Sequence, residues 1–438
     1  MLNIKEFLQA EIRPALGCTE PVCIALSCAH AALAIPDRVV EEIEVTLSPG
    51  LYKNAKGVFL PGSIQERGVH MAAALGAIAG DPTKDLEIFS SHTDTDIQKA
   101  RQLVSLNKVS ILIDEKKRGI YCRAKIKGGS NTSEAVISGL HNNLISIKLN
   151  GNELLTKDKH FSNHKQNELN VIDILKETSC DDLFDLLDKL STNDLDFLKK
   201  GVEMNVNLAM EGLNGKWGYN VTKTFLDYRD SKKEDLETEI KKYVVAAVDA
   251  RMGGCPYPAM SSAGSGNNGI VATVPVWVVK SHLKISEQDF LKSVCLSHLF
   301  TSKLKSHMGR ITPVCSCGLS AGGGVAAAIS FLMTNNKEIA KRAVNNHIVS
   351  MFGILCDGAK PGCSLKVLMA ISSALNSISL AKKGISLTSY DGISGQTLDD
   401  TLKNIELLSK DAYTQMDIKL LKVISQRKSS LSPNLICP

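Results

Sequence analysis

Apolar and polar positions divide the chain into three stretches. Residues 4–12 repeat apolar side chains at helical spacing, which predicts a short amphipathic helix broken at Pro14. A second, more apolar helix is expected after Gly17-Cys18, with Thr19 as its N-cap and Glu20 and Pro21 in its first turn. From about Val39 to Asn152 the period changes. Val40-Glu-Glu-Ile-Glu-Val-Thr-Leu alternates like a half-buried strand, and Leu51 to Gly62 reads as a loop leading into a second one. Further strands are expected at Val109–Ile113, Ile120–Ile126 and Asn143–Leu149, and helices at Gln65–Ala79, Asp94–Val104 and Ser133–Leu140. Lys157 to Lys165 reads as a polar linker. Helical periodicity returns at Val171–Thr178, Cys180–Lys189, Asn193–Met210 and Lys233–Met252. The fold class is therefore α+β, mainly helical, with a small inserted α+β domain.

Two stretches break the helical pattern. Asp249 to Gly269 is rich in Gly, Ser and Asn and enters an apolar run from Ile270; its free backbone N–H groups could cradle a carboxylate or phosphate, or it is an ordinary long loop. Pro313-Val-Cys-Ser-Cys-Gly-Leu-Ser-Ala-Gly-Gly-Gly carries three successive glycines, each worth roughly 1 kcal/mol against a helix. A cofactor lying close, or two tightly packed helices, would explain them.

The 438 residues are 44% hydrophobic and 22% charged, the balance of a soluble globular protein, and suffice for two or three domains. A net charge of +5 with scattered lysines argues against a nucleic-acid partner. The N-terminus is not expected to carry the apolar core of a secretory signal, and the longest apolar run is read as Ile270–Val279, short of a membrane span. Twelve scattered cysteines are too dilute for a disulfide framework, so a cytoplasmic protein with reduced thiols is expected. Cys23, Cys28, Cys122, Cys180 and Cys295 fit core positions. Cys437, in the tail, is expected to be irrelevant.

Five other cysteines occupy unusual places. Cys18 stands at a helix start, where unpaired N–H groups favour a thiolate. Cys356-Asp-Gly-Ala-Lys-Pro-Gly-Cys363 forms a loop that runs into a helix, and Cys315-Ser-Cys317 precedes another. Such spacing suits zinc poorly, since structural zinc sites use Cys pairs two to four residues apart. An iron–sulfur cluster tolerates looser spacing, and three protein ligands would leave one iron open as a Lewis acid. Unconnected core cysteines remain the plain alternative.

Gly17-Cys18-Thr19-Glu20-Pro21, Lys53-Asn54 with Pro61-Gly62, Asp249-Ala-Arg-Met-Gly-Gly, Ser265-Gly-Asn-Asn-Gly, Pro313-Val-Cys-Ser-Cys and Cys356-Asp-Gly-Ala-Lys-Pro-Gly-Cys, in this order over nearly the whole chain, resemble the iron–sulfur L-cysteine desulfidases. That family is related to the alpha chain of bacterial iron–sulfur L-serine dehydratases. The resemblance implies a [4Fe–4S] cluster held by Cys356, Cys363 and Cys317, with Cys315 as the alternative to Cys317, and conversion of L-cysteine to sulfide, ammonia and pyruvate without pyridoxal phosphate. It further implies Cys18, ionised, as the base. Ser265, Asn267 and Asn268 would bind the substrate carboxylate, with Ser262 and Lys53-Asn54 as weaker candidates. Residues 1–38 are then expected to pack with a helical, cluster-binding catalytic domain over 168–438, around an α+β module over 39–155. The partner is a small amino acid, with no nucleic acid and no membrane, and a homo-oligomer stays open. Two other readings remain: an L-serine dehydratase on the same scaffold, and a non-catalytic iron–sulfur or zinc protein that binds an amino acid.

Overall fold

Short polar side chains mark where most of the helices begin. In the computed structural model, which describes residues 2–62, 66–156, 163–226, 235–411, 413 and 415–425, α1 (Ile4–Glu11) is capped by Asn3, whose Oδ1 accepts from the N–H groups of Lys5 and Glu6. There follow β1 (Pro14–Ala15), α2 (Thr19–Leu33), β2 (Glu42–Leu47), α3 (Pro49–Ala55), α4 (Val69–Ala79) and α5 (Asp94–Ser105). A run of strands comes next: β3 (Val109–Ile113), β4 (Tyr121–Gly128), β5 (Asn131–Ser138), β6 (Leu144–Leu149) and β7 (Asn152–Thr156). The rest is mostly helical: α6 (Asn163–Glu177), α7 (Asp182–Asp185), α8 (Thr192–Leu213), α9 (Val221–Leu226), α10 (Leu236–Met252), then a short β8 (Ala259–Met260). It continues with α11 (Gly266–Leu283), α12 (Glu287–Met308), α13 (Ser316–Thr334), α14 (Lys337–Met351), α15 (Cys363–Lys382), α16 (Leu398–Asp411) and α17 (Met416–Ser425). This is the mainly helical α+β class that the periodicity predicts.

Six strands form one mixed sheet in the order β3-β2-β4-β5-β6-β7, with β2 and β3 parallel and the other pairs antiparallel. Its buried face, including Ile43, Val45, Cys122, Ala124, Ala135 and Ile137, shares one core with Val22, Cys23 and Leu26 of α2 and Ala72 to Leu75 of α4. A second core joins α1 to the helices after residue 168. Between the two, β1 pairs antiparallel with β8, Pro14 opposite Met260 and Ala15 opposite Ala259. That short pairing fixes the segment leading to Cys18 against the loop before α11.

Several expectations change. The second N-terminal helix was expected against the catalytic helices; α2 packs mainly on the sheet, because its nearly all-round apolar surface is covered by α4 and by strands β4 and β5. Ser133–Leu140, expected as a helix, is strand β5: its buried positions Ser133, Ala135 and Ile137 alternate, and small residues had masked that period. Leu51 and its neighbours, expected as loop, lie in α3, where Ser48 caps and Pro49 takes the first helical position. Cys18, not Thr19, is the N-cap of α2. Helices α13 and α15 are each long and apolar enough to cross a membrane, contrary to the expectation from the Ile270–Val279 run; 78% and 44% of their apolar windows are buried inside the fold. The glycines of α13 answer to helix packing: a Cβ on Gly322 would run into the His347 ring, on Gly323 into Leu304, and on Gly324 into the Thr301 hydroxyl and the Ser297 carbonyl. The linker expected at 157–165 falls largely outside the described residues, as do Gln65, Lys233 and Cys437.

Candidate active site

Gly17 delivers Cys18 to the interior. Its φ of +76° is a left-handed conformation that glycine adopts freely, and a Cβ there would sit 2.8 Å from Pro61 Cδ. The Gly17 carbonyl accepts from Arg251 Nη2 at 2.6 Å, and the Thr19 hydroxyl donates to the Gly264 carbonyl at 3.1 Å, so the start of α2 is clasped to the loop before α11. The Cys18 thiol is 6% exposed and donates to Glu20 Oε2 at 2.8 Å. Glu20 Oε1 in turn accepts from Asn54 Nδ2 at 2.9 Å, with His141 Nε2 at 4.0 Å.

Electrostatics here correct one expectation. Burial, and then the Glu20 charge, push the Cys18 thiol well above its ordinary value, against a weaker pull from Arg251. Cys18 therefore rests as a thiol, not the ionised group that its helix-start position suggests. Burial also pushes Glu20 up and His141 down, the latter to about 4, so the imidazole is neutral at pH 7. Against its burial, the charge that His141 carries in the acid range, and then hydrogen bonds from Cys18 and Asn54, hold Glu20 as a carboxylate down to about 2.

The other thiols come together through backbone pairing. Val314 and Leu355 form an antiparallel bridge, flanked by bonds from Cys315 N to the Ile354 carbonyl (2.8 Å) and from Cys356 N to the Pro313 carbonyl (2.6 Å). This sets Cys315 opposite Ile354 and Cys356 opposite Pro313, on either side of the bridge. Cys317 sits in the first turn of α13, one step inside the position expected, with its sulfur 3.5 Å from that of Cys315, the N-cap. The proton they share makes Cys315 the more acidic, pulled to about 7 chiefly by that hydrogen bond, and Cys317 the less acidic for the same reason. Cys363 opens α15, at the end of a loop tied by Lys360 and Lys366 to Asp357. Gly358, at φ +102°, lets that loop pass against the Lys53 carbonyl, where a Cβ would collide.

One small cavity, of about 70 Å³, is lined by Cys18, Glu20 and Asn54, by Ser265, Asn267 and Asn268, and by Cys315, Cys317, Cys356 and Cys363. Every principal candidate from the sequence faces it. Asn267 Oδ1 accepts from Arg251 at 2.9 Å, and Asn268 Nδ2 donates to Ser316 Oγ at 3.1 Å while its own Oδ1 is without a partner. Of the weaker candidates, Asn54 lines the cavity; Ser262 is buried behind Ser265, and the Lys53 ammonium pairs with Asp417 at 2.6 Å. Sequence reasoning missed Lys305, Arg310 and Lys366 and gave Glu20 no role beyond the first helical turn. A roomier groove along Asp173, Glu177, Asp182 and Lys189 holds no thiol or imidazole.

The donor set suits an iron–sulfur cluster better than a lone ion. Four thiols face one cavity, and three of them, Cys317, Cys356 and Cys363, are pushed up by burial and by the charge of their neighbours, which is the condition that metal binding relieves. Among the described residues no three His, Cys, Asp or Glu side chains are gathered closely enough to hold a single metal ion. All eleven described cysteines are free of disulfides.

Comparison with known proteins places the chain. It is 37% identical over 431 residues to a UPF0597 protein of Desulforapulum autotrophicum, covering 97% of this chain and 98% of that one. It is 34% identical over 437 residues to a UPF0597 protein of Desulfatibacillum aliphaticivorans, covering 98% and 99%. A UPF0597 protein of Clostridium tetani is 34% identical over 422 residues, with 96% and 98% covered. The model of the serine dehydratase alpha chain matches residues 84–422, a span that takes in the α11 loop and all four clustered thiols. With that match over most of its length, the chain belongs to the serine dehydratase alpha chain family.

Proposed function

We propose that this protein is an iron–sulfur lyase that eliminates the β-substituent of L-cysteine, giving sulfide, ammonia and pyruvate. The convergence of Cys18 with four cysteines on one cavity carries this reading. Membership of a family generally associated with iron–sulfur centres supports it. Cys356, Cys363 and either Cys317 or Cys315 would hold a [4Fe–4S] cluster. A cluster bound there would supply Lewis acidity for the departing sulfide.

The protein's own groups do the rest. The start of α11, with Ser265, Asn267 and Asn268, presents N–H groups and amides to the substrate carboxylate. Cys18 removes the Cα proton. Because it rests as a thiol, it must first shed a proton; Glu20 Oε2 accepts its hydrogen bond at 2.8 Å, but a carboxylate held at about 2 is too weak a base to take that proton until substrate changes the charge around the pair. The substrate ammonium, a positive charge brought beside both groups, favours the thiolate, and the raised pKa of Cys18 makes that thiolate a strong base. Aminoacrylate released from the site becomes pyruvate and ammonia in water. Such chemistry, with twelve cysteines, fits a reducing cytoplasm.

The test is anaerobic turnover of L-cysteine and L-serine by cluster-reconstituted protein. Faster elimination from cysteine is expected; equal or greater activity on serine overturns the choice of substrate. Cys18→Ala should lose nearly all turnover while keeping its iron. A Cys18→Ala protein with unchanged turnover contradicts the role of the base.

A further inference from the structure

Four cations line the cavity: Arg251, Lys305, Arg310 and Lys366. Three are engaged by the protein. Arg251 donates to the Gly17 carbonyl and Asn267, Arg310 pairs with Glu11, and Lys366 binds the Leu355 carbonyl and Asp357. Lys305 differs. Although it is only 4% exposed, no hydrogen-bond acceptor or carboxylate partners its ammonium among the described residues. Its neighbour on the same helix shows the usual solution for a buried lysine: Lys303 Nζ donates to the Lys176 carbonyl (2.7 Å) and the Thr178 carbonyl (2.5 Å), with Asp399 at 3.4 Å.

A buried ammonium without a partner is expensive, and a protein keeps one where a ligand brings the anion. We propose that Lys305 binds the α-carboxylate of the substrate, opposite the N–H groups at the start of α11. Ser265, Asn267, Asn268 and Lys305 line the same cavity, so a carboxylate lodged there meets a full counter-charge as well as backbone and amide donors. The site thus selects amino acids with a free carboxylate over their amides or amines. Burial and the charge of Arg310 bring Lys305 down to about 8, against the charges of Glu20 and Glu11, which stand beyond ion-pair distance; it stays protonated at neutral pH.

This inference rests on the amino-acid lyase reading for the identity of the substrate, but binding can test it without turnover. Iron-loaded wild-type protein and Lys305→Gln are titrated anaerobically with L-alanine and L-alaninamide, which lack a leaving group and differ in the carboxylate charge. Wild type should prefer L-alanine by about 30-fold or more, the effect of breaking a buried charge pair; Lys305→Gln should fall to within a few-fold, and Lys305→Arg should recover part of the preference. Without ligand, Lys305→Met should melt no lower than wild type, since it removes an unpaired charge and keeps the packed stem; it replaces the glutamine variant if that fails to fold. The same preference in wild type and Lys305→Gln overturns the proposal, as does a variant that loses its iron but keeps the preference, or a wild type that binds neither ligand. Wild type that prefers L-alanine but eliminates neither cysteine nor serine sinks the lyase reading and supports the carboxylate site. Cysteine turnover with an unchanged KM in Lys305→Gln sinks only the role of Lys305.

Discussion

A thiol at a helix start gains acidity from the free N–H groups, an effect worth roughly 0.3 to 2 kcal/mol. Burial can shift an acidity constant by up to about 3 to 5 units, or several kcal/mol, and at Cys18 it acts together with a carboxylate at 2.8 Å. Burial wins, which is why helix position alone misjudged the resting state of Cys18. Glu20→Gln removes the negative charge and should make Cys18 more acidic, so its peptide should alkylate faster at a given pH in apo protein, read by mass spectrometry. If Glu20 also receives the thiol proton, elimination should slow on the order of 10²-fold in the same variant. Unchanged or faster elimination in Glu20→Gln would leave the carboxylate with no part in catalysis. Cys18, Ser265, Asn267, Asn268 and the clustered cysteines were legible in the sequence because glycines, prolines and small residues set them apart. Glu20, Lys305 and Arg310 were not, because a charge at a helical position looks solvated until tertiary packing closes over it.

Elements were legible where their period was strong. The amphipathic α1 and the strand at Glu42–Leu47 follow directly from their patterns. β5 did not, because Ser133 and Ala135 are inward positions that do not look apolar; Ser133 is accepted in the core by donating to the Ala31 carbonyl at 2.6 Å. The glycines of α13 could have served a cofactor or a neighbouring helix, and only packing against α12 and α14 decides. Gly324→Ala should cost about 1 to 3 kcal/mol, since its methyl group must displace the α12 backbone at Ser297. Urea unfolding monitored by circular dichroism checks this; an unchanged midpoint would mean that the helices are not packed as closely as described.

At the scale of the whole molecule, burial has consequences for acid stability. His141, His298 and His347 are each held down by burial, to about 4, about 3 and about 4, from an ordinary value of 6.5. Their folded values lie below the unfolded one, so the unfolded chain takes up protons that the folded chain refuses. Stability is therefore full above about pH 6.5 and falls as the pH drops toward 4, with a slope approaching about 4 kcal/mol per pH unit near pH 5 for three such groups. Urea midpoints between pH 7 and 4.5 should show this loss, and a flat profile would contradict the buried, neutral imidazoles. The assembly of distant segments around one cavity is the property no local pattern could give, since it depends on β1 meeting β8 and on Val314 meeting Leu355. Its most direct test is the iron and acid-labile sulfide content of anaerobically reconstituted wild type beside Cys363→Ser. The account predicts about four of each per chain in wild type, as a [4Fe–4S] cluster requires, and near-complete loss in the variant; a folded wild type that takes up neither, or a Cys363→Ser protein that keeps both, would contradict it.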